Sequence, residues 1–234
     1  MIKNFLFSIL FITFSSAQSA DEYYNLGIDN NNDEDFYAAI LAFDKAIKID
    51  SLFANAYYNR GIAYANLNKI EMAINDFGKA ILIDPLDYKS YYNRGNLKMQ
   101  QENFEEALID FDKAIEIYPK YERAYSNRAT TKAFLKDYNG AIKDYDFIIE
   151  LNPLNVSALY NRATTKAKNK NFSEAIEDLN LVLEMNPLMD IAFYNRGLAQ
   201  INLNENEKAC LDFFKAKDLG SQKAIQKIEQ YCQK

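Results

Sequence analysis

From Ala20 onward, two apolar blocks separated by a polar break recur every 34 residues. With repeats started at Ala20, Ala54, Tyr88, Glu122, Val156 and Asp190, position 4 is large: Tyr23, Tyr57, Tyr91, Tyr125, Leu159 and Phe193. Position 8 is small, as Gly27, Gly61, Gly95, Ala129, Ala163 and Gly197, and position 20 is Ala in all six. Position 24 is large again: Phe43, Phe77, Phe111, Tyr145, Leu179 and Phe213. Within each block the spacing is helical, so every repeat predicts two helices. The small residues at 8 and 20 let those helices approach closely, and the aromatics at 4 and 24 fill the space beside them. All four prolines, Pro85, Pro119, Pro153 and Pro187, fall at position 32. Proline there stops the second helix, because it lacks the amide donor and restricts the residue before it. The pair Asn-Arg keeps the same interval from Asn59-Arg60 to Asn195-Arg196. A period of this length is the signature of stacked supersecondary units. The expected repeats are 20–53, 54–87, 88–121, 122–155, 156–189 and 190–221.

Three stretches depart from the pattern. The polar, acidic run from Asp29 to Asp35 is expected to shorten or fray the first helix of repeat 1. Repeat 6 has no proline, and residues 222–234 follow it with Ala224, Ile225, Ile228 and Tyr231 on one stripe, which predicts a capping helix. Residues 1–19 read as a secretory signal peptide: Lys3 near the start, an apolar run from Phe5 to Phe14, then the small residues Ser15, Ser16, Ala17 and Ser19. That run is about half the roughly 20 residues needed to cross a bilayer. The expectation is therefore an exported protein, periplasmic or extracellular, with no membrane span once the signal is removed.

Export changes how the two cysteines are read. Cys210 lies at position 21 of repeat 6, and Cys232 falls on the predicted capping helix. Those helices are neighbours if the stack continues, and an exported protein meets an oxidising compartment, so a Cys210–Cys232 disulfide is expected. The alternative is a small buried core residue at 210 and a frayed thiol at 232.

Charge and composition narrow the chemistry. The chain has 27 Lys and Arg against 33 Asp and Glu, a net charge of −6, and removal of Lys3 with the signal leaves −7. That balance argues against nucleic acid as a partner. With no histidine, Ser-His and Cys-His catalytic pairs are impossible. None of the seven glycines forms a phosphate-cradling loop, and two cysteines are too few for a zinc cage. No enzyme activity, cofactor or metal is expected. The acids at position 23, Asp76, Asp110, Asp144, Asp178 and Asp212, occur in the same five repeats that carry Arg at position 7. Repeat 1 has neither, with Leu26 and Ala42 instead. This joint presence and absence predicts an Arg–Asp pair tying the two helices of each repeat together.

These residues resemble the tetratricopeptide repeat family, in an exported bacterial-type member, over roughly residues 20–221. The resemblance implies an all-α fold: a right-handed superhelical solenoid of helix-turn-helix repeats with a C-terminal capping helix. Position 4, usually Trp in the family, is Tyr, Leu or Phe here. Position 11, usually aromatic, is Tyr64 once but Asn30, Lys98, Lys132, Lys166 and Gln200 elsewhere, which predicts looser packing there.

In the resembled family, positions 2, 5, 6, 9, 12 and 13 of the first helix face a concave groove. Position 5 supplies Tyr58, Tyr92, Tyr160 and Tyr194, and position 6 is Asn in every repeat, including Asn59, Asn93, Asn127, Asn161 and Asn195. An Asn amide both donates and accepts, so a regular row can hold an extended peptide backbone without reading its sequence. Such a row is similar to the asparagine ladder in the superhelical arm of O-linked N-acetylglucosamine transferase. The competing reading has each Asn bonding to its own neighbours. A second family mode clamps a carboxylate with Lys at 5 and Asn at 9 of one repeat, Asn at 6 of the next, then Lys at 2 and Arg at 6; here position 5 is never Lys and position 6 never Arg, and only fragments such as Asn96, Asn127 and Lys89 survive, in the wrong combination. The expected function is a non-enzymatic scaffold that binds an extended peptide or partner segment in the groove. The alternative is a structural subunit of a cell-envelope assembly, using its convex face or end-to-end stacking.

Overall fold

The computed structural model describes residues 18–232. The expected signal peptide therefore lies outside the described residues, apart from Gln18 and Ser19. Among the described residues there are thirteen helices and no strand. They are α1 (Ala20–Asn32), α2 (Phe36–Ile49), α3 (Ala54–Asn66), α4 (Ile70–Ile83), α5 (Tyr88–Gln100), α6 (Phe104–Ile117), α7 (Glu122–Phe134), α8 (Tyr138–Leu151), α9 (Val156–Lys168), α10 (Phe172–Met185), α11 (Asp190–Asn202), α12 (Asn206–Asp218) and α13 (Gln222–Tyr231). Each odd-numbered helix from α1 to α11 begins at position 1 of its repeat. Packing divides the chain into two compact units, one ending at Ile83 with α1–α4 and one beginning at Asp84 with α5–α13. Within each unit, consecutive helices pack as antiparallel pairs, the solenoid arrangement of helix-turn-helix repeats.

The glycines at position 8 explain how closely those pairs approach. A Cβ on Gly95 would stand 2.8 Å from the ring of Phe111, and one on Gly27 2.4 Å from the ring of Phe43. Gly61 with Phe77 and Gly197 with Phe213 repeat the arrangement. Where position 24 is Tyr145 or Leu179, position 8 is Ala129 or Ala163. Phe43, Phe77, Phe111 and Phe213 are almost completely buried.

Each first helix is closed by the same turn. In repeat 4 the Asp137 amide donates to the Lys132 carbonyl and the Lys136 amide to the Ala133 carbonyl, the two bonds of a Schellman motif. Position 15, which is Glu34, Asn68, Glu102, Lys136, Lys170 and Asn204, has φ between 56° and 65°. That left-handed conformation costs a residue with a Cβ about 1–2 kcal/mol. Lys136 is exposed, and Lys136→Gly is expected to raise the unfolding free energy by about 0.5–1 kcal/mol, part of the relief being offset by unfolded-chain entropy. Chemical denaturation of the two proteins checks it. Before the cap the sequence does use glycine: Gly220, at φ 104°, joins α12 to α13.

Two local expectations are corrected. Helix α1 runs its full 13 residues despite the polar run from Asp29 to Asp35. It is held at its start by a capping box between Ser19 and Glu22 and closed by the turn every other repeat uses, with Asp35 donating to the Asn30 carbonyl. The end of α2 shows that proline alone does not stop the second helix. Repeat 1 has Ser51 at position 32, yet α2 ends at Ile49, the position at which its proline-bearing counterparts end. Repeats 1, 2, 4 and 5 share an Asx turn at position 31, where Asp50 accepts from the Leu52 amide, Asp84 from Leu86, Asn152 from Leu154 and Asn186 from Leu188; repeat 3 has Tyr118 there and keeps its proline, Pro119.

Candidate functional site

Each Arg at position 7 makes a two-pronged bond to the Asp at position 23 of its own repeat. Nε and Nη2 donate to the two carboxylate oxygens at 2.6–2.9 Å for Arg60–Asp76, Arg94–Asp110, Arg128–Asp144, Arg162–Asp178 and Arg196–Asp212. All five acids are buried. Burial pulls the Arg128 guanidinium down, and its paired carboxylates more than offset that, leaving it above its usual value. The rings of Tyr57, Tyr91, Tyr125 and Phe193 lie under these guanidinium groups. The third nitrogen, Nη1, reaches back one repeat: Arg60 to Asp44, Arg128 to Asp112 and Arg162 to Asp146 at 2.5–2.7 Å, and Arg196 to Asn180 at 2.7 Å. This cross-repeat link at position 25 was not anticipated, although the acids stand in register in the sequence.

Position 11 overturns the expectation of looser packing. Lys98, Lys132 and Lys166 turn into the helix pair and bind Asp110, Asp144 and Asp178 at 2.8–3.0 Å, so each of these acids is held by two cations. The lysine stems fill space an aromatic side chain would occupy, and their ammonium groups find a buried counter-charge. In repeat 6 the residue is Gln200, which is buried with a side-chain oxygen that has no partner. The charged network ties the helices together and does not involve the tyrosine and asparagine rows of the first helices.

On one face of the first helices the tyrosine and asparagine rows interlock. Asn195 Nδ2 donates to the Tyr160 hydroxyl at 2.8 Å, Asn127 to Tyr92 at 3.3 Å, and, in the first compact unit, Asn59 to Tyr24 at 3.1 Å. Each bond spans 35 residues, from position 6 of one repeat to position 5 of the one before. Asn127 also donates to Asn96 at 2.5 Å and Asn59 to the Asn55 carbonyl at 2.9 Å. The tyrosine rings rest on the position-24 aromatics: Tyr58 on Phe77 with ring centres 5.8 Å apart, Tyr92 on Phe111 at 6.2 Å and Tyr194 on Phe213 at 6.0 Å. Burial pushes the Tyr160 phenol up, and the hydrogen bond from Asn195 draws it partly back. Neighbour bonding thus engages the amide nitrogens of Asn59, Asn127 and Asn195. Asn93 is also engaged. Asn161 follows Ser126 rather than a tyrosine, and its side chain has no protein hydrogen bond among the described residues.

Between α9 and α11 this face opens into a cleft of about 510 Å³. Tyr160, Thr164, Ala167, Lys168, Asn195 and Leu198 line it, an apolar wall with hydroxyl, amide and ammonium groups at intervals. A smaller cleft of about 260 Å³ lies between α7 and α9. Among the described residues no group of acids and cysteines is arranged to hold a metal ion, and no helix is long and apolar enough to cross a membrane.

Profiles described as tetratricopeptide repeat match residues 54–86, 88–121, 127–187 and 162–224. The chain belongs to the tetratricopeptide repeat family. Members of that family are in general non-enzymatic protein-binding scaffolds. No curated protein matches the sequence. Among solved structures, the tetratricopeptide repeat chain is similar to YrrB, described as a protein of this family with an unusual peptide-binding site: 25% identity, TM-score 0.73, covering 81% of this chain and 98% of YrrB. A tetratricopeptide repeat protein from Parabacteroides merdae gives 24% identity and TM-score 0.62 over 91% of this chain and 83% of its own. PilF of Pseudomonas aeruginosa gives 19% and 0.71 over 90% and 96%, a likeness of fold alone.

The repeat array ends in α13, whose Ala224 is buried against Phe213 and Ala216 while Ile228 and Tyr231 cover the same cluster. Cys210 and Cys232 stand at disulfide distance there, their Cα atoms 5.6 Å apart. The expected pair is thus brought together by the packing of α13 on α12.

Proposed function

We propose that the protein is an exported, non-enzymatic scaffold that holds an extended peptide or partner segment along the recessed face of its first helices. The observation that carries this reading is the 510 Å³ cleft between α9 and α11, lined by the hydroxyls of Tyr160 and Thr164, the amides of Asn195 and Asn202 and the apolar Ala167 and Leu198. A strand-like ligand presents backbone amides and carbonyls at intervals that such a surface meets. The peptide-binding site attributed to YrrB lends the reading weight by likeness. Export is inferred from the charged, apolar and small-residue segments of residues 1–19, and the cysteine pair suits an oxidising compartment.

The test is affinity capture from cell-envelope extract by the mature protein, followed by affinity measurement on synthetic segments of the captured partner. Asn161→Ala together with Asn195→Ala is expected to weaken binding on the order of thirtyfold at unchanged helicity, at about 1 kcal/mol per lost hydrogen bond. Undiminished binding by the folded double variant would count against the groove. A second reading, a subunit of an envelope assembly, draws support from exposed leucines at position 33. Leu86, Leu154 and Leu188 are 72%, 73% and 73% exposed. Sedimentation velocity separates the two, because only the assembly reading requires oligomers that dissolve in Leu154→Glu.

A further inference from the structure

Positions 18, 22, 25 and 29 lie on one stripe along the outer face of each second helix. On that stripe α4 and α6 carry one exposed apolar residue each, Leu82 and Ile109, and α8 and α10 carry none. The two end repeats differ. Helix α2 presents Tyr37 and Leu41, each 64% exposed, and α12 presents Leu211 and Phe214, 72% and 43% exposed. Adjacent apolar side chains left in water at helical spacing mark a surface that meets a partner.

The charges that flank the two apolar pairs are complementary. Position 26 is lysine in both helices, so the contrast lies at positions 18 and 29: Tyr37 and Lys48 in α2, Glu207 and Asp218 in α12. The one acid on the α2 stripe, Asp44, is already bound by Arg60 at 2.5 Å. Lys48, Glu207 and Asp218 are exposed and make no ion pair among the described residues. Beside Glu207, a cleft of about 220 Å³ opens between α12 and α13, with Asn206, Cys210, Tyr231 and Cys232 as its other walls. A carboxylate at the edge of a cleft walled by an aromatic ring suits a long cationic side chain. Its stem covers the ring while its ammonium meets the acid.

We propose that α2 of one copy docks antiparallel on α12 of a second copy, so that the protein associates head to tail through these two outer faces. Tyr37 and Leu41 cover Leu211 and Phe214, Lys48 enters the cleft beside Glu207, and the acids that precede α2 lie toward Lys215 and Lys217. Each copy carries both faces and the faces differ. The contact is therefore heterologous, and it extends into chains or closes into a ring instead of stopping at a dimer. One helix pair is a small interface, which places the association in the micromolar range. The contact uses neither the peptide groove nor the position-33 leucines Leu86, Leu154 and Leu188, so it stands or falls independently of both readings above.

Sedimentation velocity of the mature protein from about 5 to 200 µM is expected to show a sedimentation coefficient that rises with concentration, less steeply as salt is added. Leu41→Glu and Leu211→Glu, both at exposed positions, are each expected to sediment as monomers at unchanged helicity. An equimolar mixture of the two is expected to form dimers and nothing larger, because each variant keeps one intact face. Lys48→Glu is expected to weaken association about tenfold, and adding Glu207→Lys in the same chain to restore it. Leu154→Glu is expected to leave the oligomers intact. A native protein that stays monomeric throughout overturns the contact. Oligomers that persist in either leucine variant, a mixture of the two that stays monomeric, or oligomers that dissolve in Leu154→Glu also overturn it.

Discussion

Asp178→Ala is expected to lower the unfolding free energy by about 3–5 kcal/mol, the usual consequence of stranding a buried charge. The Asp178 carboxylate is 3% exposed and satisfies Arg162 through two hydrogen bonds and Lys166 through a third at 3.0 Å. Removing it leaves two cations facing each other between α9 and α10, and also strips support from the residue that reaches back to Asp146. The effect is not a measure of how much the ion pair stabilises the fold. Replacing Arg162, Lys166 and Asp178 together with apolar residues of similar volume is expected to recover most of the loss, because the desolvation cost disappears with the charges. Urea titration of the single and triple variants distinguishes the two effects. A loss under 1 kcal/mol in the single variant would mean that water reaches the pair freely.

Reduction of the Cys210–Cys232 pair is expected to cost about 3 kcal/mol, from loop-closure entropy over a separation of 22 residues. The cap is the element that benefits most, since among the described residues α13 packs chiefly against α12. Ala224 and the half-buried Ile228 and Tyr231 hold it over Phe213 and Ala216. Reductant is therefore expected to lower the melting temperature and to speed amide exchange in α13 first. Cys232→Ser is expected to reproduce both effects and to make reductant inert. Two alkylatable thiols in the purified native protein would contradict the pairing.

The same residues show which parts of the fold could be read in advance. The 34-residue clock of Pro85 to Pro187, the exchange of Gly and Phe for Ala and Tyr or Leu at positions 8 and 24, and the matched Arg and Asp at 7 and 23 all specify interactions within one repeat. Those are local patterns, and α1–α13 follow them closely. The misreadings share a different character. Lys98, Lys132 and Lys166 read as looser packing until the buried Asp beneath each is seen. Asp29 to Asp35 look like a frayed end until the Ser19–Glu22 capping box and the closing turn are placed. Links between repeats, such as Arg128 to Asp112 or Asn195 to Tyr160, depend on how the repeats stack, which spacing along the chain does not encode. The candidate site was legible as a row of Asn and Tyr. That the two rows bond to each other, and that Ser126 therefore frees Asn161, became visible only in three dimensions.

Filling the cleft between α9 and α11 tests the proposed function most directly. Ala167→Trp projects an indole into the space lined by Tyr160, Thr164 and Leu198 without touching the Arg162–Asp178–Lys166 network. Calorimetric titration with the best-binding extended peptide is expected to show binding by the native protein and none by Ala167→Trp, at equal helicity and melting temperature. Equal affinity in the two proteins would place the binding surface elsewhere and contradict the account.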